Sequence, residues 1–143
     1  MRTMLILSML LLAGGNAQDQ AKKDLERMQG TWVLAALEVD GKPVQDDKLK
    51  DTLLIVKGNK YITRVKDREI ETTFTLDPSK KPRAIDMVFG EGEKKDKVLK
   101  GIYEIDGDTL RICRGLGPDQ ECPAQFGTWP GTGFFLVTWK RRQ

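Results

Sequence analysis

The stretch "MQGTW", Met28 to Trp32, separates two kinds of pattern. Before it, Gln20 to Met28 carries Ala21, Leu25 and Met28 at helical spacing, and Gly30 ends that run. After it, Thr31 to Val39 opens a series of short segments that read as strands. A glycine and a tryptophan thus stand where a short helix hands over to β-structure. Downstream, no pattern is long enough for a helix that would cross between parallel strands, so the sheet is expected to be antiparallel.

Working outward, Leu53 to Lys57 and Lys60 to Lys66 flank Gly58-Asn59, a two-residue turn that closes a tight hairpin. Glu69 to Leu76 alternates cleanly: Ile70, Thr72, Phe74 and Leu76 share one face, while Glu69, Glu71, Thr73 and Thr75 share the other. A turn with two prolines, Asp77 to Pro82, precedes a strand from Ala84 to Phe89. Val98 to Ile105 sets Leu99, Gly101, Tyr103 and Ile105 opposite Lys100 and Glu104. Asp106-Gly107-Asp108 then turns into Thr109 to Arg114, and Phe134 to Lys140 forms the last strand. Eight short strands in a meander must hide their edges, and closure does so. The expected fold is all-β, an eight-stranded antiparallel up-and-down barrel with a short N-terminal helix.

Strand parity then orients the barrel. If the helix covers the end where the first strand begins, the longest connections, Asp40 to Asp51, Gly90 to Asp96 and Gly115 to Gly133, lie at the far mouth. The last strand ends beside the start of the first, which brings Arg141 near Trp32.

The N-terminus reads as a secretory leader, with Arg2 as its positive region, Met4 to Leu12 apolar but for Ser8, and small residues before a cut after Ala17. The expected organisation is a signal peptide at 1–17 and one domain at 18–143, secreted or periplasmic. The apolar run is too short for a membrane span, and Gly15 occupies the place where a lipidated cysteine would stand. Without Arg2, 23 basic residues face 21 acidic ones, interleaved as in Lys94-Lys95-Asp96-Lys97. Such a surface argues against nucleic acid and against a membrane partner for the mature chain, which is expected to be a monomer.

With no histidine in the chain, there is no imidazole base and no histidine metal site. Glu69 with Glu71 reads as a solvated face and Asp106 with Asp108 as turn chemistry. Asp46, Asp47 and Asp51 lack the full pattern of a calcium loop. No enzyme, cofactor or metal is therefore expected. Two cysteines in an oxidising compartment, Cys113 and Cys122, read as one disulfide.

Gly30-Thr31-Trp32, following a short helix, resembles the lipocalin signature, in which the tryptophan plugs the closed end of the barrel beneath a basic residue of the last strand. Lys140, Arg141 and Arg142 lie where that partner would be, and Arg141 is the expected one. More widely, "LERMQGTW", "EVDGKP", "LDPSKKPRAIDM", "GIYEIDGDTLRIC" and "PGTGFFLVTWKR" are similar to a family of lipocalin-like secreted domains of planctomycete bacteria. That resemblance covers nearly all of the mature chain. It implies a calycin-like fold and a periplasmic or extracellular address, and it brings no activity with it.

The expected function is to bind a small apolar ligand inside the barrel, with Phe74, Met87 and Tyr103 on inward faces. Phe126 or Trp129, in the long "PAQFGTWPGTG" loop, is expected over or beside the opening. The alternative is that these side chains fill a packed core and that the mouth loops act as a protein-interaction or inhibitor module.

Overall fold

In the computed structural model, which describes residues 16–45 and 47–143, a helix over residues 16–28 precedes nine antiparallel strands. The expected leader falls almost wholly outside the described residues, as does Asp46. The strands are β1 (Gly30–Val39), β2 (Lys42–Pro43), β3 (Leu53–Lys57), β4 (Lys60–Val65), β5 (Arg68–Asp77), β6 (Ala84–Phe89), β7 (Val98–Asp106), β8 (Thr109–Gly115) and β9 (Phe134–Arg141). Strand β2 is a two-residue annex on β1, while the other eight form one ladder that β1 closes against β9. The fold is an eight-stranded antiparallel up-and-down barrel with a short N-terminal helix, of the lipocalin kind.

A register shift between Leu34 and Ala36 interrupts the β1–β9 pairing. One extra residue resets the alternation of a strand. Trp32 and Leu34 therefore face inward before the shift and Leu37 after it, which keeps β1 apolar on the inside along its whole length.

The helix lies across the end where β1 starts. Gln29 Nε2 donates to Gly58 O in the β3–β4 turn at 3.0 Å, and Arg27 Nη2 to Ile105 O of β7 at 3.2 Å. Its buried stripe contains a carboxylate: Asp24 is fully buried beside Met28. Asp24 accepts from Tyr103 OH at 2.6 Å, Arg83 Nη1 at 2.9 Å and Gln20 Nε2 at 2.9 Å. A buried charge is tolerated when it is paired and hydrogen-bonded in this way.

The long connection between β8 and β9 leaves from the mouth but does not roof it. Gln120 ties its two ends together, Oε1 accepting from Leu116 N at 2.6 Å and Nε2 donating to Thr132 O at 2.7 Å. Between these ties the loop runs down the outer wall. Ile102 and Cys113, directly paired across β7 and β8, face outward yet are buried. Gly127 O lies 3.5 Å from Cys113 Sγ, and Phe126 packs under the Arg111 guanidinium at 5.1 Å. Thr128 Oγ1 donates to Glu38 and accepts from Gly41 N, the latter at 2.8 Å. Gly41 has φ +86°, and a Cβ there would come within 2.6 Å of Pro130 Cδ, so the loop closes down on bare backbone.

The expectation of Phe126 or Trp129 at the opening is thereby corrected. Phe126 serves the outer wall, and Trp129 is 46% exposed, lying against Gly127. Outward-facing Ile102 would otherwise stand in water, and the loop supplies its cover.

Candidate functional site

Inward-facing residues of the mouth half leave a cavity of about 230 Å³. Leu34, Leu37, Met87, Ile112 and Val137 make its apolar walls. Val65, Phe89 and Phe135 stand at the mouth ends of their strands and form its rim, together with Ile70, which is 39% exposed. The volume lies between the roughly 150 Å³ that accommodates benzene and the roughly 300 Å³ at the lower bound of drug-sized pockets.

Polar side chains of Thr52, Tyr61, Thr63, Thr72, Arg114 and Trp139 interrupt this lining. Trp139 Nε1 donates to Tyr61 OH at 2.8 Å, while the Tyr61 ring meets Phe74 edge-on with centroids 6.4 Å apart. Burial pushes the Tyr61 phenol well above its ordinary range, against the milder opposing effects of the Trp139 hydrogen bond and the Arg114 charge. Thr52 Oγ1, on the approach to β3, is buried without a hydrogen-bond partner among the described residues. Arg114 of β8 turns its guanidinium inward, 4.2 Å from the Phe135 centroid and 5.8 Å from that of Phe89. Burial pushes Arg114 down to about 10, with the nearby Tyr61 opposing.

Gly101 makes room for this arginine. It pairs directly with Arg114, and a Cβ at Gly101 would lie 2.8 Å from both Arg114 Cβ and Cys113 O. Both atoms belong to the neighbouring strand, so any side chain at Gly101 would prise β7 from β8.

Of the residues expected to line a pocket, only Met87 does so. Phe74 packs behind Tyr61, towards the helix. Tyr103 lies at the closed end on Asp24, because its hydroxyl needs a partner that the apolar walls do not offer. Phe126 and Trp129 are outside the barrel, as described. Trp32 is fully buried at the closed end, with Arg141 Cζ 4.2 Å from its ring and Nε1 donating to Met28 O at 2.9 Å. Arg141 also donates from Nη1 to Gln29 O at 2.9 Å and from Nη2 to Arg27 O, so it clamps the helix terminus over the tryptophan.

The expected Cys113–Cys122 disulfide is corrected as well, since both thiols are free. Cys113 Sγ is turned onto Gly127 O, and Cys122 Sγ onto Gly101 O of β7 at 3.4 Å. The loop places the second sulfur over a different strand, beside Asp86 and Lys100. Burial raises both thiols above their ordinary value. Native protein is expected to take up one alkyl group, at Cys122, and a second only on unfolding, because Cys113 is buried under the loop. Mass spectrometry of protein alkylated with and without denaturant checks this. Two groups added at equal rates to the native chain would contradict it.

The outward carboxylates pair across strands, Glu69 with Arg64 at 2.6 Å and Glu71 with Lys60 at 3.8 Å. Among the described residues, no three His, Cys, Asp or Glu side chains are grouped to hold a metal ion. Comparison of the chain with protein-family models, with curated proteins and with solved structures gives no match.

Proposed function

We propose that this chain is a secreted or periplasmic lipocalin-like binding protein that holds a small, largely apolar ligand in the mouth half of its barrel. The observation that carries the reading is the cavity of about 230 Å³, walled by Leu34, Leu37, Met87, Ile112 and Val137. A barrel of eight strands is just wide enough to fill itself with side chains. Here the closed half does so around Trp32 and Tyr103, and the mouth half does not. The helix before Gly30-Thr31-Trp32 and the Arg141 guanidinium over the tryptophan ring support placing the chain with lipocalin-like domains.

Trp139 lines the cavity and serves as an internal reporter. Titration with a neutral naphthylamine dye is expected to raise dye emission and quench tryptophan emission together, saturating at one dye per chain. Enlarging Met87 to Trp should abolish both changes by filling the space. A dye signal that does not saturate, or that survives Met87→Trp in folded protein, would sink the reading and favour a packed barrel acting through its surface.

A further inference from the structure

We propose that the ligand is a carboxylate on a compact apolar body, its head group held by Arg114; this rests on the binding reading above and adds the chemical class. Arg114 is the carrying residue. Among the described residues no carboxylate lies within 4.0 Å of its guanidinium, whereas Arg64, Arg83, Arg111 and Arg141 each have one. Among the described residues its guanidinium makes one hydrogen bond, from Nη1 to Gly115 O at 2.9 Å, leaving most of its five N–H donors unspent. Phe135 and Phe89 screen it partly from water and offer only the faces of their rings. A cation held between apolar rings at the rim of an apolar cavity has an unmet demand for an anion.

The opposite wall repeats the demand in neutral form. Three strands lie between β4 and β8 on either side of the ring of eight, so Tyr61 stands on the wall opposite Arg114. Its hydroxyl accepts from Trp139 and retains its own proton for donation. On the adjoining β3 approach, Thr52 is only 3% exposed, and its Oγ1 has no hydrogen-bond partner among the described residues. Buried polar atoms in folded proteins are nearly always paired, so an unpaired one that lines a cavity marks a place for a ligand atom. One guanidinium balances one negative charge, and its planar fork matches a carboxylate in two parallel hydrogen bonds. A phosphate monoester would bring a second charge into walls that are otherwise apolar or neutral. The volume limits the apolar part to about a ring with a short chain.

The test is displacement of the neutral naphthylamine dye from the full chain, at neutral pH, by octanoate, octanol and octyl phosphate. Octanoate is expected to displace the dye at a concentration at least about tenfold below octanol, the factor a charge-assisted pair provides. Octyl phosphate is expected to be weaker than octanoate. Arg114→Met keeps the unbranched stem and removes the charge. It should still bind the dye while octanoate loses its advantage over octanol, and Arg114→Lys should restore part of that advantage. If octanol and octanoate displace the dye equally, the carboxylate assignment falls and the binding reading stands. If octyl phosphate is the strongest competitor, the assignment to carboxylates falls in favour of phosphate. If the dye does not bind the parent chain, both readings fall. The parent-chain comparison is decisive even if the Arg114 variants do not fold.

Discussion

Trp32→Ala is expected to lower the melting temperature by at least about 10 °C, the result of losing roughly 3 to 5 kcal/mol from a domain whose total stability is about 5 to 15 kcal/mol. The ring is fully buried where the helix, β1, β3 and β9 meet, opposite Leu54 on β3 and Arg141 on β9. Removing it leaves a cavity the barrel cannot close, because its neighbours are fixed by ladder hydrogen bonds on both sides. It also strips the Arg141 guanidinium of the ring 4.2 Å away, an interaction worth roughly 0.5 to 2 kcal/mol. Arg141→Met should cost less than Trp32→Ala, since it keeps the packing and loses the clamp on Gln29 O and Arg27 O. Thermal melts followed by far-ultraviolet circular dichroism measure the difference. A Trp32→Ala chain that melts within about two degrees of the parent would show that the closed end is held by something else.

How far the sequence could be read depended on whether alternation or surroundings decided a residue's place. The alternation of Glu69 to Leu76 matches β5 (Arg68–Asp77) to within a residue at each end, because a half-buried strand has a two-residue period that nothing else mimics. The closing pair Trp32 and Arg141 was equally legible, since an even number of antiparallel strands returns the chain to its start. Arg114 was missed although Leu110 and Ile112 already placed it inward, because a charged residue at a strand end is ordinarily turned to water. Asp24 was missed for the same reason, although it falls on the helical stripe of Ala21 and Met28. Parity told at which end the long loop starts and could not tell that it folds down the wall. The sign was there in Ile102, an apolar residue between outward Lys100 and Glu104 that required a cover. The cysteines failed on geometry, because nearness along the chain does not aim two sulfurs at each other.

Above about pH 10 the protein is expected to lose stability by roughly 1.4 to 2.7 kcal/mol per pH unit, through Tyr61 and Tyr103. Both phenols are raised above their ordinary value by burial, and Tyr103 additionally by its hydrogen bond to Asp24 and by that residue's charge. Below the ordinary phenol range both folded and unfolded chains hold the two protons, so the stability is whole. As pH rises past that range the unfolded chain releases protons that the folded chain keeps, and the balance shifts towards unfolding until the folded phenols themselves ionise. Each phenol contributes about 1.4 kcal/mol per unit, and lowered Arg114 works in the opposite sense, which sets the lower bound of the range. Ionising Tyr103 in place is disfavoured for a further reason. Its hydroxyl is a donor to Asp24 Oδ2 at 2.6 Å, and without the proton two anions would face each other in the closed end. Phenolate absorbance should therefore appear in one cooperative step together with loss of β-sheet signal. In Tyr103→Phe one phenol should be left to drive that step, and its slope with pH should be reduced accordingly. Phenolate absorbance that develops gradually near pH 10 while the sheet signal stays intact would show that both hydroxyls reach water in the folded barrel.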